Sequence, residues 1–90
     1  MKLLFCKDCC DILLLLREWR WCKCRRSGGH YTKKGNEAEY KGPAVPLIIH
    51  NSSFRGAVKY QPARTIEEYD GTVFESWVVP KENGNFRRIE

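Results

Sequence analysis

Apolar residues come in short bursts along this chain, with no long helical period. Residues 2–5 are mostly apolar, residues 12–16 form an unbroken run closed by Arg17-Glu18, and residues 19–22 place aromatics beside basic residues. Cys6-Lys7-Asp8-Cys9 separates the first two bursts, and Cys22-Lys23-Cys24 follows the third. Ser27-Gly28-Gly29 then leads into His30-Tyr31-Thr32. The simplest reading is strand, knuckle, strand, turn, strand, knuckle, strand. A helix over 11–19 stays open, because leucine is a good helix former and five apolar residues in a row show no diagnostic period.

The remainder divides at its glycines and prolines. Residues 33–42 are polar and read as a surface loop or hairpin, with a short strand at 36–40. Pro43 and Pro46 hold the residues before them extended, and Leu47-Ile48-Ile49 reads as a buried segment. Asn51-Ser52-Ser53 offers side-chain oxygens as an N-cap, and Phe54, Ala57 and Val58 follow at i, i+3 and i+4. One short helix is therefore expected near 52–61, ended by Pro62. Asp70-Gly71 and Asn83-Gly84 are tight-turn dipeptides, which predict meander strands at 64–69, 72–79 and 86–89. There is no internal repeat.

Ninety residues leave room for one small domain, 1–90, whose modest core invites a metal or disulfides as a supplement. Lys7, Asp8 and Asp11 interrupt the apolar N-terminus, so it does not read as a secretory leader. The run at 12–16 is far shorter than the ~20 apolar residues of a membrane span. The expectation is a cytoplasmic, reducing environment and no membrane partner, where closely spaced cysteines bind metal or do redox chemistry. Charge is uneven: residues 1–34 carry nine Lys or Arg against three acids, a net +6, and residues 35–90 carry seven against eight, a net −1. A zinc ion with four thiolates brings the first part to about +4, a moderate basic patch.

Cys6, Cys9, Cys22 and Cys24 are spaced C-x2-C, twelve residues, C-x-C. Two intervening residues let the backbone wrap a metal with both sulfurs pointing inward and nearby N–H groups donating to them. One intervening residue makes a tighter turn that still reaches a single ion. Four thiolates select zinc over harder cations and leave no open coordination position for catalysis, so a structural Zn2+ is expected. The spacings match no common iron–sulfur pattern. Cys10 competes with Cys9 as ligand; as a non-ligand it is expected to be a small buried hydrophobe behind the knuckle.

Phe5-Cys6-Lys7-Asp8-Cys9-Cys10, with Cys22-Lys23-Cys24 as second knuckle, resembles the zinc-ribbon family over residues 1–32. That family has an aromatic or aliphatic residue, Cys-x-x-Cys and usually glycine; here Cys10 stands in the glycine place and C-x-C replaces the second C-x-x-C. The resemblance implies a zinc-ribbon-like N-terminal hairpin (1–34); with the elements read above, the expected fold is α+β, mostly β, that hairpin packed on a C-terminal β-meander (35–90) carrying one short helix. It also implies a nucleic-acid or protein docking role. The same segment is similar to a glutaredoxin-like oxidoreductase, if Leu3-Leu4-Phe5, Cys6-Lys7-Asp8-Cys9 and a leucine-rich helix form strand, C-x-x-C, helix, with Pro46 in that family's proline segment. Against that alternative, only 36 residues separate Cys9 from Pro46 and two further cysteines go unexplained.

Trp19, Arg20, Trp21, Lys23, Arg25 and Arg26 interleave aromatics with cations, a composition suited to stacking bases and neutralising phosphates. The plainer account has the tryptophans packing inward and the cations in water. Gly28, Gly29, His30 and Tyr31 offer a nest for a small anionic ligand or nucleotide, against which stands an ordinary tight turn. No local nucleophile–base motif assigns a catalytic residue. The leading expectation is a small zinc-stabilised binding or adaptor protein meeting an anionic protein surface or nucleic acid through a basic-aromatic face. A thiol oxidoreductase using Cys6 and Cys9 and a binder of a small anion are the alternatives.

Overall fold

Each cysteine pair closes a β-hairpin. β1 (Lys2–Cys6) and β2 (Ile12–Leu14) pair antiparallel around the first knuckle, with Phe5 opposite Ile12 and Leu3 opposite Leu14. β3 (Arg20–Trp21) and β4 (Gly28–Tyr31) pair around the second, with Trp21 opposite Gly28. The computed structural model describes residues 1–63, 71–81 and 84–89.

The two hairpins seed two different sheets. β5 (Ala38–Lys41) pairs with β4, and the chain then crosses through Gly42-Pro43 to β6 (Ala44–Ile49), which lies against β1. β7 (Ser76–Val78) and β8 (Phe86–Arg88) complete sheets of order β2-β1-β6-β7 and β3-β4-β5-β8. Between them sits a core of Leu4, Leu15, Ala38, Tyr40, Ala44, Val79 and Phe86, drawn from both sheets. The fold is mostly β with one short helix, the class expected from the sequence.

One local feature follows the simplest sequence reading over its helical rival, and two differ from what the sequence predicts. The run at 12–16 is extended: Leu13 and Leu15 are buried while Ile12, Leu14 and Leu16 are exposed, a period of two. The knuckle decides this, because Cys6 N–H donates to Asp11 O at 2.9 Å and sets β2 in register with β1. The helix α1 spans Asn51–Tyr60, one residue earlier than expected, because His50 caps it: its ring nitrogen accepts from Ser53 N–H. No residue of α1 is buried; its Phe54 meets Phe74 edge-on at 4.9 Å. In place of a C-terminal meander, β7 joins β6 and β8 runs parallel to β5, so these two strands lie in different sheets. The expected strand at 64–69 lies outside the described residues. Among the described residues, no helix is long and apolar enough to cross a membrane.

Candidate metal centre

The four ligand candidates come together as two pairs, one from the end of each sheet. The sulfurs of Cys6, Cys9, Cys22 and Cys24 all lie within 4.8 Å of one another, so they can hold one metal ion. Cys6 and Cys24 are 3.7 Å apart and Cys22 and Cys24 3.4 Å, near the ~3.8 Å edge of a tetrahedron with metal–sulfur bonds of about 2.3 Å. Cys6 and Cys22 are buried with Leu13, and Cys9 packs against them. Cys24 stands at the exposed rim.

Both knuckles end on a left-handed residue. Cys10 has φ 59° and donates its N–H to Cys6 O at 2.8 Å; Arg25 has φ 63° and donates to Cys22 O at 3.0 Å. Each turn folds the chain back so that the two preceding cysteines face the same point. This separates Cys9 from Cys10: Cys9 faces the cluster, whereas Cys10 is exposed, not buried behind the knuckle. Its conformation is one that glycine adopts without strain and a cysteine does not.

Residues outside the ligand set complete the centre. Ser27 is fully buried, donates its N–H to the Cys22 sulfur at 3.4 Å, and has a hydroxyl with no well-aligned partner. That hydroxyl lies by Cys6, and it is the chief reason, ahead of the Cys9 N–H, that the Cys6 thiol is pulled down to about 6. An orphaned buried donor aimed at a sulfur is what a thiolate bound to a cation would satisfy. For Cys22, burial opposes ionisation, but the Ser27 N–H and the neighbouring thiols prevail and lower it. For Cys24, the Arg26 N–H favours the thiolate, but burial and the other sulfurs outweigh it and push the thiol up to about 12. Without a cation the cluster therefore keeps its proton on Cys24; a cation removes the need for it. Asp8 and Asp11 tie the knuckles together, Asp8 by an ion pair to Arg26 at 3.0 Å and Asp11 by accepting from Lys23 N–H at 3.0 Å. Sequence reading missed Ser27 and both aspartates in this role, because each acts across the gap between knuckles.

The basic-aromatic residues split into two groups. Trp19 lies over Gly28, where a Cβ would meet its indole nitrogen at 2.6 Å, and its ring stands 5.2 Å from His30. Arg20 donates to Leu14 O, and Arg26 is held by Asp8. Trp21, Lys23 and Arg25 face outward, and Lys41 sits over the rings of Trp21 and Trp19 at 5.0 and 5.5 Å. Gly28 and Gly29 are buried inside β4 with their neighbours close: a Cβ on Gly29 would approach Leu4 to 2.9 Å. His30 faces Glu39 at 3.1 Å, which also pairs with Arg87, and the Tyr31 hydroxyl accepts from Lys2 N–H. A separate cleft of about 520 Å³ opens between the sheets beside the first knuckle; Lys7, Lys81 and Arg88 edge it over Ala44, Pro46 and Val79.

A helix following Cys9, which a glutaredoxin-like site requires, is absent; β2 occupies that stretch. The sequence matches no protein-family model and no curated protein, and the fold matches no solved structure.

Proposed function

We propose that the chain is a zinc-stapled β-protein in which the metal is structural and the surface around the second knuckle binds an anionic partner. The observation that carries the metal reading is the meeting of four sulfurs from hairpins of two separate sheets. One ion there fastens the sheets to each other, and the core between them is small. Four soft ligands and buried N–H donors fit zinc, and a filled tetrahedral shell gives a substrate no place to coordinate.

The anionic-partner reading rests on charge placement. Lys23 and Arg25 project from the knuckle without an ion pair among the described residues, next to Trp21 and Lys41. Lys7 and Lys81 also edge the cleft between the sheets. Native mass spectrometry of protein purified without added metal tests the first part: one zinc mass with all thiols reduced is expected, and a metal-free disulfide form overturns it. For the second part, binding of a mixed-sequence single-stranded oligonucleotide and of a polyglutamate peptide is measured at low and high salt. A Lys23→Glu/Arg25→Glu double variant should lose the binding. If neither probe binds at low salt, the anionic-partner reading fails and the metal reading stands.

A further inference from the structure

The outer face of the β2-β1-β6-β7 sheet is apolar almost throughout. Strand register places Leu14, Leu3, Leu47 and Val78 in one cross-strand row and Ile12, Phe5 and Val45 in the next. Met1, Ile49 and Ser76 lie in a third, where the Met1 ammonium donates to Ile49 O and Asn51 Oδ1 at the end of the row; among the described strand residues of that face Ser76 has the one polar side chain and none is charged. An antiparallel sheet with one face in water normally alternates apolar inward with polar outward; continuous apolar runs on both faces mark a sheet covered on both sides. The second sheet covers the inner face around Leu4 and Ala44. Nothing among the described residues covers the outer one: Ile12 is 55 %, Leu14 41 % and Val78 64 % exposed. A groove of about 500 Å³ runs along it between Leu3, Leu47, Ile49 and Phe74.

We infer that this face is the interface of a homodimer, in which the sheet of a second copy stacks on it about a two-fold axis. Three observations select a second copy. The strand residues of the face carry no charged side chain in a chain of net +5, so two copies meet across its centre without juxtaposing like-charged side chains. Its apolar side chains are as large as those of the chain's own core, which includes two alanines. Ile12, Leu14 and Val78, with the half-buried Leu3, Phe5, Val45, Leu47 and Ile49 around them, form one contiguous apolar patch of roughly a few hundred Å², the size that marks an interaction site. Interfaces with changing partners are no more apolar than the rest of a protein surface, whereas homodimer interfaces are more apolar. A two-fold axis also gives each row its own copy as partner, so no polar code is needed to set the pairing. The inference does not use Trp21, Lys23 or Arg25 of the second knuckle, although Val45 and Val78 also line the cleft edged by Lys7, Lys81 and Arg88.

Sedimentation equilibrium of the full metal-loaded chain between 1 and 200 µM tests it. A dimer is expected, and Leu14→Lys should weaken it at least ~100-fold, because the symmetry brings in each lysine twice. Val78→Lys, at the other end of the row and on an edge strand, should do the same; it decides the matter if Leu14→Lys fails to fold. Val73→Lys, 89 % exposed and off the face, should leave the dimer unchanged. A chain monomeric at 200 µM overturns the inference, as does a dimer that both face variants weaken less than 3-fold, or a monomer that uses this face to bind neutral lipid vesicles.

Discussion

Gly42 offers the sharpest test of how the metal centre is built. It lies on the crossover from β5 to β6, with φ 97°, and a Cβ placed there would stand 2.0 Å from Arg26 O and 2.6 Å from Ser27 Cα. Arg26 and Ser27 form the return of the second knuckle. The next residue, Pro43, accepts from Lys7 N–H in the first knuckle at 2.8 Å. The crossover thus lies against both halves of the site. In Gly42→Ala the left-handed backbone costs about 1–2 kcal/mol. The methyl group meets backbone atoms, which cannot swing aside as a side chain can, so overpacking adds about 1–3 kcal/mol. A total of about 2–5 kcal/mol corresponds to a melting point lower by about 10–25 °C in a domain of this size.

The assay is thermal unfolding of the zinc-loaded variant by circular dichroism, alongside a competition titration for zinc. Gly35→Ala serves as the control: its φ is 74°, but nothing lies within 4 Å of the added methyl, so only the backbone part should appear. If Gly42→Ala melts within about 3 °C of the parent with unchanged zinc affinity, the close approach does not support the site. If the two variants lose the same amount, conformational strain alone accounts for the effect and the packing argument fails.

Three further outcomes are expected. Cys10→Gly should keep one zinc per chain and raise stability by about 1 kcal/mol, since it relieves the left-handed strain at an exposed non-ligand; loss of zinc by atomic emission would make Cys10 a ligand. Ser27→Ala should lower zinc affinity about 10–100-fold while leaving the metal-free chain at least as stable, because it deletes a buried hydroxyl that only a thiolate satisfies; equal affinity in a chelator competition would remove Ser27 from the centre. Zinc affinity should fall as pH drops, and more steeply below about 6, where the Cys6 thiol of the metal-free chain also takes up a proton that zinc must displace. A chelator competition from pH 8 to pH 5 with no steeper slope below 6 would contradict that linkage.

How far the sequence could be read depended on the range of the interaction involved. The ligand set was legible because cysteines one and two residues apart must turn together wherever they sit, and the glycine-like place of Cys10 reappears as its positive φ. The run at 12–16 was ambiguous because five apolar residues carry no period; the bond from Cys6 to Asp11 resolves it, and that contact is set by the knuckle. Turn dipeptides encode only a local reversal, so they suggested a meander. Strand partners are chosen by whichever sheet edge is open and apolar: β6 exposes one edge to β7 and β5 another to β8, which draws the two last strands apart. Ser27 and Gly42 were hidden for the same reason. Their roles exist only once the chain brings residue 42 against residues 26 and 27, and no spacing within either segment announces that approach. The apolar run in β2 gains meaning in the same way. Leu13 and Leu15 are buried, while Ile12 and Leu14, on the same run, point outward onto the face proposed to pair with a second copy.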